Sequence, residues 1–416
     1  MNERIEVDVD HTAPAFNTNE LAEWNALRAR GPVVWNTRHG GFWMVTGFEE
    51  AAIVSREGEV FAHRYEPGAT DGIDYIGTLG IPRPAGLPGI GLNESDGARH
   101  LEMRRALGPF FSPQAVSALV PFIEHTAQWF LDQRIADGAM DVVADYTGPI
   151  PALVTLKLMG LPLRNWKRYS SLFHLTTAYA PGSREYEHGL GQASAIVEEV
   201  LASAERLRRE PRGDLTSFIA NMRVEGKLLD HDELVKLIWN FLGGGVDTTT
   251  SSTSWTLHYL ATRPALRGSL IAQPGLWDTA AEEFIRFFSV AQTLSRTVTR
   301  DTVLGGQPLR RGDWLLLSYV GANHDAREFD RADEVLPMRS PNRHLAFGSG
   351  PHRCIGAALA RTASRIMLER FLARIPDYTL ESPVPDEYLG QPTVTGLKTL
   401  PIRFAPGAPA GVARPY

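Results

Sequence analysis

The sequence predicts a mostly α-helical fold with a small β region near each end of the chain. The longest helical pattern covers residues 231–262, and successive amphipathic helical patterns fill residues 114–222. Two other stretches, residues 33–46 and 291–320, instead alternate apolar and polar side chains as strands do. Helices therefore dominate the expected fold.

The first half of the chain begins with short elements. We predict an irregular segment at 1–18, a helix at 20–30, paired strands at 33–35 and 41–46, and a helix at 48–55. Residues 67–93 are too rich in glycine and proline to form a regular element. A loop of this length is usually functional or disordered, and its apolar side chains suit a lid over an apolar pocket. Breaks in the helical region that follows are expected near Gly148, Gly160 and Pro181.

The second half is organised by the long helix. Asp230 can cap it, and Glu233 stands at the capping-box position. Downstream, the spacing predicts a helix at 280–288, a hairpin at 304–309, a strand at 314–320, a helix at 357–371 and a terminal hairpin at 390–403. Residues 19–405 are expected to form one domain, followed by a disordered tail at 406–416.

Composition narrows the class of protein. The chain has 416 residues, of which 43% are apolar and 22% charged, as in an ordinary soluble globular protein. A net charge of −6 gives no reason to expect binding to nucleic acid or to an anionic membrane surface. No apolar run approaches the roughly 18 residues of a membrane helix, and the N-terminus lacks a leader-like segment. The single cysteine excludes internal disulfides. We therefore expect a soluble, cytoplasmic protein.

That cysteine, Cys354, follows a glycine-rich loop and precedes the helix predicted at 357–371. Helix N-terminal amides, together with the neighbouring His352 and Arg353, favour a thiolate. A lone cysteine is most often a small buried apolar residue, but such a residue needs no glycine loop. A zinc site needs about four ligands and no second cysteine exists. A cysteine nucleophile with a distant histidine base stays open, as does an axial thiolate on haem iron.

The stretch Phe347-x-x-Gly350-x-x-x-Cys354-x-Gly356 resembles the haem-ligand signature of the cytochrome P450 family, with every fixed position filled. The resemblance covers roughly residues 20–405. It implies the cytochrome P450 fold, in which haem b lies between the long central helix and the cysteine loop. It also implies that Cys354 is the ligand of the haem iron.

Three further motifs carry the same resemblance. His100-x-x-x-Arg104 matches a pair that binds a haem propionate, although Asp96-Gly97-Ala98 replaces the usual Asp-Pro-Pro. The run from Gly244 to Thr248 resembles the oxygen-activating motif, so Asp247 and Thr248 would deliver protons. Glu283-x-x-Arg286 resembles a buried pair locked by a third residue, here Arg339. Arg296 and His352 are implied as additional propionate ligands, and Ala322-Asn323-His324-Asp325 departs from Ala-Asn-Arg-Asp.

The resemblance implies a monooxygenase that inserts one atom of O2 into a lipophilic small organic substrate by hydroxylation or epoxidation. Electrons would come from a ferredoxin-type donor with its NAD(P)H reductase. A peroxide-dependent peroxygenase and a non-catalytic haem-binding sensor are the alternatives. The expected substrate contacts are Leu242, Gly244, Ala291, Leu294 and Val394.

Overall fold

A single helix of 31 residues, His231–Ala261, packs against several of the other helices in this computed structural model. The structure describes residues 4–84, 86–388 and 393–416. The long helix begins with the predicted capping box, because Asp230 accepts the amide of Glu233 and the Glu233 side chain accepts the amide of Asp230. Its buried positions, including Leu234, Ile238 and Leu257, belong to the largest apolar cluster.

The described residues contain fifteen α-helices, including this one. In chain order they are Pro14–Thr18 (α1), Glu20–Arg30 (α2), Phe48–Arg56 (α3), Gly97–Leu107 (α4), Pro113–Asp132 (α5), Pro149–Met159 (α6), Trp166–Ala178 (α7), Arg184–Leu190 (α8), Ala193–Arg209 (α9), Leu215–Asn221 (α10), His231–Ala261 (α11), Pro264–Ala272 (α12), Trp277–Phe288 (α13), Tyr319–Asn323 (α14) and Ala357–Arg374 (α15). The predicted breaks near Gly148, Gly160 and Pro181 are confirmed, since each lies between two helices.

The strands form one larger sheet and several small ones. In chain order they are Glu6–Val7 (β1), Val33–Asn36 (β2), Phe42–Val45 (β3), Phe61–Ala62 (β4), Tyr65–Glu66 (β5), Tyr75–Ile76 (β6), Ala139–Asp141 (β7), Arg223–Val224 (β8), Lys227–Leu228 (β9), Thr293–Val298 (β10), Thr302–Leu304 (β11), Gln307–Leu309 (β12), Trp314–Ser318 (β13), Tyr378–Leu380 (β14), Asp386–Glu387 (β15), Leu397–Thr399 (β16) and Pro401–Phe404 (β17). The larger sheet has the order β1-β2-β3-β13-β10-β4, and a three-stranded sheet has the order β14-β17-β7. The mostly α fold with a small β region is therefore confirmed.

Both ends of the chain differ from the prediction. The segment 1–18, expected to be irregular, contains β1, which pairs in parallel with β2, and the short helix α1. The tail 406–416, expected to be disordered, lies against α5. The Asp132 carboxylate accepts the amides of Ala410 and Gly411, and Tyr416 contacts the Trp129 ring edge to face. Composition alone did not indicate these distant partners.

The C-terminal hairpin also differs in register. Strand β16 pairs with β15 rather than with β17, so the hairpin joins Asp386–Glu387 to Leu397–Thr399. Strand β17 instead lies between β14 and β7. Residues 390–392 of the predicted hairpin lie outside the described residues. The predicted turn at 393–396 pairs with the segment before β10, since Thr395 donates its amide to Val290 and Ala291 bridges Val394.

The glycine- and proline-rich loop at 67–93 is organised around Glu94. This buried carboxylate accepts the amides of Thr78 and Ile90 and pairs with Arg83 at 2.6 Å. The loop contains one two-residue strand, β6, a departure from the prediction of no regular element.

Among the described residues, no single helix is long and apolar enough to cross a membrane. One bent pair of helical segments, Gly97–Phe111 with Pro113–Asp132, meets that test of length and composition together.

Candidate active site

The loop before α15 is shaped by two glycines with positive φ, Gly348 at 65° and Gly350 at 67°. A Cβ on Gly350 would lie 2.7 Å from the Ser55 carbonyl oxygen, so the loop approaches the end of α3 more closely than any side chain permits. The amide of Cys354 donates to the Phe347 carbonyl at 2.8 Å and closes the loop. The sequence motif thus fixes where the thiol lies, just before α15.

Cys354 is accessible to solvent, although protein surrounds it closely. Burial raises the pKa of the thiol, and the Gly356 amide and the charges of Arg104, Arg353 and Arg361 oppose that effect. The sequence predicts a stabilised thiolate, whereas the raised pKa shows that the protein environment alone favours the protonated thiol. A metal ion reverses this balance, because a coordinating thiol is deprotonated.

Three imidazoles stack beside this loop. The His352 ring centroid lies 3.5 Å from that of His63 and 3.7 Å from that of His100. Asp96 lies 3.5 Å from ring nitrogens of both His63 and His352 and accepts the amides of His63 and Arg64. The ligand atoms of His63, Asp96 and His352 lie within 4.8 Å of one another, close enough to hold a metal ion.

Burial lowers the pKa of all three histidines, to about 4 for His352. They are therefore neutral near pH 7 and act as N–H donors, whereas the sequence analysis assigned positive charge to His352. The ring nitrogens of His100 lie 3.1 Å from the Leu92 carbonyl oxygen and 3.2 Å from the Pro351 carbonyl oxygen, and the neutral ring can donate to one of them.

Two arginines, Arg104 and Arg296, lie near the three histidines and the cysteine loop. Arg296 is 1% exposed, its Nη1 donates to the carbonyl of Ser295, and its Nε has no hydrogen-bond partner among the described residues. Arg104 is half-buried and donates to the Arg353 carbonyl. A buried guanidinium with an unpartnered N–H is costly unless an anion binds it. The structure thus brings His100, Arg104, Arg296 and His352 to the cysteine loop.

The three central glycines of α11 differ in what they face. A Cβ on Gly244 would meet nothing within 4 Å, so this side of the helix is open. In contrast, a Cβ on Gly245 would lie 2.6 Å from Thr155 Oγ1, and one on Gly243 would lie 3.3 Å from the Phe173 ring. Of the three glycines, Gly244 is therefore the one that leaves space for a bound group.

Thr248 and Asp247 lie on different sides of α11. The Thr248 hydroxyl donates to the Gly244 carbonyl at 2.9 Å, four residues earlier on the same continuous helix. Asp247 is 4% exposed and is hydrogen-bonded to His174 and Tyr388. The Thr248 hydroxyl therefore borders the open side of α11 beside Gly244, while the Asp247 carboxylate is buried against His174 and Tyr388.

The predicted substrate contacts do not all lie together. Leu242 is fully buried in the main core, which corrects that prediction. Two positions along an α-helix correspond to a rotation of about 200°, so Leu242 and Gly244 lie on opposite faces of α11. Ala291 and Val394 lie opposite each other across an isolated bridge. Leu294 lies on β10 of the larger sheet, is half-buried and packs against a buried apolar cluster that includes Leu315 and Leu317.

Glu283 on α13 is a fully buried carboxylate with several cationic and polar donors. Arg286 donates from Nε at 2.8 Å and from Nη2 at 2.9 Å, and Arg339 donates from Nε at 3.0 Å. The amide of Leu336 and the Asn342 side chain also donate to it. The structure thus joins Glu283, Arg286 and Arg339 in one cluster, although Arg339 is 56 residues from Glu283.

With this geometry established, comparison with known proteins identifies the family. The cytochrome P450 family model matches residues 165–272 and 275–387. The chain belongs to the cytochrome P450 family. It is 32% identical to the mycinamicin IV hydroxylase/epoxidase of Micromonospora griseorubida, over 82% of this chain and 84% of that protein. It is 29% identical to the steroid C26-monooxygenase of Mycolicibacterium smegmatis, over 94% and 93%.

The solved structure of CYP108D1 from Novosphingobium aromaticivorans superposes with a TM-score of 0.82 at 28% identity, covering 96% of this chain and 97% of that one. Cytochrome P450 monooxygenases contain haem b and insert one atom of O2 into an organic substrate by hydroxylation or epoxidation, with electrons from a redox partner. This chain is an oxidoreductase of that class.

The residues present fit haem b. Its propionates are carboxylates. The Nε–H of buried Arg296 and the ring nitrogens of His63 have no hydrogen-bond partner among the described residues, and one nitrogen of the neutral His63 ring can donate. Its iron requires a ligand, and Cys354 is accessible. The open side of α11 at Gly244 can receive a flat group.

The sequence analysis missed four residues of this site. His63 and Asp96 lie beside His352, and His174 and Tyr388 are hydrogen-bonded to Asp247. The family pattern includes an aspartate at the position of Asp96, and this signal could have indicated it. No local spacing indicates His63 or Tyr388, because they come from segments distant in sequence.

Proposed function

We propose that Cys354 is the iron ligand of a cytochrome P450 monooxygenase whose protons pass through Asp247 and Thr248. The observation that supports this most strongly is the convergence of the chain's only thiol with the unpartnered donors of Arg296 and His63. His63, His100, Arg104, Arg296 and His352 would hold the propionates. Guanidinium–carboxylate hydrogen bonds are charge-assisted, and neutral imidazoles contribute N–H donors.

Haem b, when bound, activates O2 with two electrons, so that one atom enters the substrate and the other leaves as water. The protein controls the two protons that this water requires. Thr248 is suited to hold a proton near the open side of α11, since its hydroxyl is fixed by the Gly244 carbonyl. Asp247 is suited to supply it, because a carboxylate can take up and release protons. Burial of Asp247 limits its direct contact with bulk water.

Thr248→Ala is expected to keep consuming reduced cofactor while releasing hydrogen peroxide instead of product. A positioned proton donor contributes about 10²–10⁴ in rate, so we expect product formation to fall by about 10²-fold. Product, peroxide and cofactor consumption are measured together. Thr248→Ser, which keeps the hydroxyl, is the matched control and should restore coupling. A Thr248→Ala variant that yields as much product per electron as the parent would contradict the role of Thr248.

The same measurements separate the peroxygenase alternative. A parent enzyme that forms product only with added hydrogen peroxide, and not with O2 and electron donors, would favour the peroxygenase. Retention of the carboxylate and hydroxyl at Asp247 and Thr248 supports the monooxygenase.

We propose an uncharged or weakly polar lipophilic substrate. Gly244, Ala291 and Val394 carry no charge, and relatives are named for a steroid and for linalool. A screen of apolar ligands for a change of haem spin state tests this class of substrate. A preference for charged ligands would contradict it.

We further propose a cytoplasmic ferredoxin-type electron donor that docks on the Cys354 side. The sequence predicts a cationic surface on this side, formed by Arg104, Arg105, Arg353, Arg361 and Arg365. Two of these are paired with carboxylates, Arg361 with Glu282 and Arg365 with Asp278 and Glu369. The docking surface is therefore narrower than expected, and Arg105 and Arg353 are its exposed cations.

Arg353→Glu is expected to slow reduction by an acidic ferredoxin about tenfold at low ionic strength, because charge steering raises association rates by about 10–10³. The difference should shrink with added salt, which screens exposed charges. Stopped-flow reduction at several salt concentrations measures both effects. Arg209→Glu, an exposed position on α9, is the control. Equal rates for Arg353→Glu and Arg209→Glu would rule out this docking surface.

A further inference from the structure

Asp247 is hydrogen-bonded to two side chains from distant elements. The Nδ1 atom of His174, on α7, lies 3.2 Å from Asp247 Oδ1. The Tyr388 hydroxyl, just after β15, lies 3.1 and 3.2 Å from the two carboxylate oxygens and 2.9 Å from His174 Nδ1. All three groups are therefore within hydrogen-bond distance of one another, which the family motif on α11 does not specify.

Counting donors determines which atoms carry protons. His174 Nε2 lies 3.3 Å from the Lys398 carbonyl oxygen, which can only accept, so Nε2 carries a hydrogen. If the imidazole is neutral, Nδ1 is then an acceptor and takes the single proton of the Tyr388 hydroxyl. If the imidazole is charged, Nδ1 donates to Asp247, and the Tyr388 hydroxyl is free to donate to the same carboxylate. One additional proton therefore belongs to the network, and it lies on either Asp247 or His174 Nδ1.

Solvent reaches His174 more easily than it reaches Asp247. The His174 side chain is 17% exposed, against 6% for that of Asp247. The side chain of Lys398 pairs with Asp386 at 3.2 Å on the exposed side. A proton that enters from this side meets the imidazole before the carboxylate.

We propose that His174 supplies protons to Asp247 and that Tyr388 positions the pair. His174 Nδ1 loses its proton as the Asp247 Oδ1–H bond forms, and the imidazole is then protonated again from solvent. His174 and Tyr388 are positioning residues, since they act through Asp247. This inference depends on the proposed role of Asp247 and Thr248 in proton delivery.

The electrostatics of the network favour a charged His174. Burial lowers its pKa, but the hydrogen bond and charge of Asp247, the Lys398 carbonyl and the charge of Asp141 on β7 outweigh burial and raise the pKa above the ordinary value. Burial and the Asp247 charge raise the pKa of Tyr388, so this residue keeps its hydroxyl proton. The imidazolium is therefore present below the raised pKa of His174 and is lost as the pH rises through it.

Nuclear magnetic resonance of histidine-labelled holoprotein tests the pairing without measuring activity. The reduced, carbon monoxide-bound form is titrated, and the signal missing from His174→Gln is assigned to His174. We expect the His174 pKa to lie above that of an ordinary histidine and to fall in Asp247→Asn. A His174 pKa that Asp247→Asn leaves unchanged would overturn the inference.

Turnover with O2 and electron donors tests the proton supply. Parent product formation should fall as the pH rises through the His174 pKa. His174→Gln cannot be protonated, so we expect its product formation to be lower by about 10²-fold and to lack this pH-dependent fall. Tyr388→Phe should show the same defect in part, whereas His188→Gln, an exposed histidine on α8, should match the parent.

The outcomes separate this inference from the proposed function. If Thr248→Ala releases peroxide while His174→Gln keeps the parent rate and pH profile, the inference fails and the function stands. If the parent forms product only with added peroxide, the proposed monooxygenase function fails. The proposed supply of protons by His174 then fails as well, even if the titration shows the raised pKa of His174. A folding defect is recognised from the haem spectrum of each variant, and Tyr388→Phe then provides the second test of the network.

Discussion

Cys354→Ala is expected to abolish monooxygenase turnover and to remove the thiolate-type spectrum of the reduced carbon monoxide complex. The substitution removes the only thiol of the chain. As ligand of the haem iron, the Cys354 thiolate would supply electron density for oxygen activation, so its loss would remove that contribution. The carbon monoxide difference spectrum and product formation are measured on the same preparation.

Thiol reactivity provides an independent measurement. Cys354 is accessible, so the apoprotein should react with one equivalent of a thiol reagent, and haem loading should protect it. Cys354→Ser, with a hydroxyl of similar size, serves as the matched variant and should also lose the thiolate-type spectrum. If Cys354→Ala kept that spectrum, another residue would have to bind the iron and the proposed site would be wrong.

Glu283→Ala is expected to yield little folded holoprotein. It leaves the buried Arg286 and Arg339 without their shared carboxylate. Breaking a buried pair by removing one partner costs about 3–5 kcal/mol. This cost is a large part of the free energy of unfolding of a typical protein, which is about 5–15 kcal/mol. Soluble yield, haem content and the free energy of unfolding in denaturant measure the effect.

The neighbouring glutamate gives a matched control. Glu282 also pairs with an arginine, Arg361, but its side chain is 27% exposed, so Glu282→Ala should cost much less. Equal losses for the two variants would show that burial is not the cause.

The pH dependence of the cluster follows from Glu283. Burial raises the pKa of Glu283, but its hydrogen bonds to Arg286, the Leu336 amide and Arg339 lower it below the ordinary value overall. The carboxylate therefore stabilises the protein above its unfolded pKa, and this contribution is lost as the pH falls through the lowered folded value.

Interactions within one element were predictable. The capping box of Asp230 and Glu233, the Thr248 hydrogen bond to Gly244 and the pairing of Glu283 with Arg286 all follow from helical spacing. In each case the partners are three or four residues apart, and a helix brings such residues to one face.

Surroundings supplied by other elements were not predictable in the same way. The sequence suggested that Leu242 faces the substrate, that Arg361 and Arg365 are free cations and that residues 406–416 are disordered. In the structure, Leu242 is buried in the core, and Arg361 and Arg365 are paired with carboxylates. The tail packs against α5. The partners come from other parts of the chain, and spacing carries no information about them.

The sequence by itself determined the positions of the thiol loop, the long capped helix and the basic residues, because each depends on residues close together in the chain. Only the tertiary structure decided the surroundings of those residues. It stacked His63 and His100 on His352, and it held Asp247 between His174 and Tyr388, which are 73 and 141 residues away. The physical reason is that hydrogen bonding, burial and charge depend on distance in space, and packing of distant elements sets that distance.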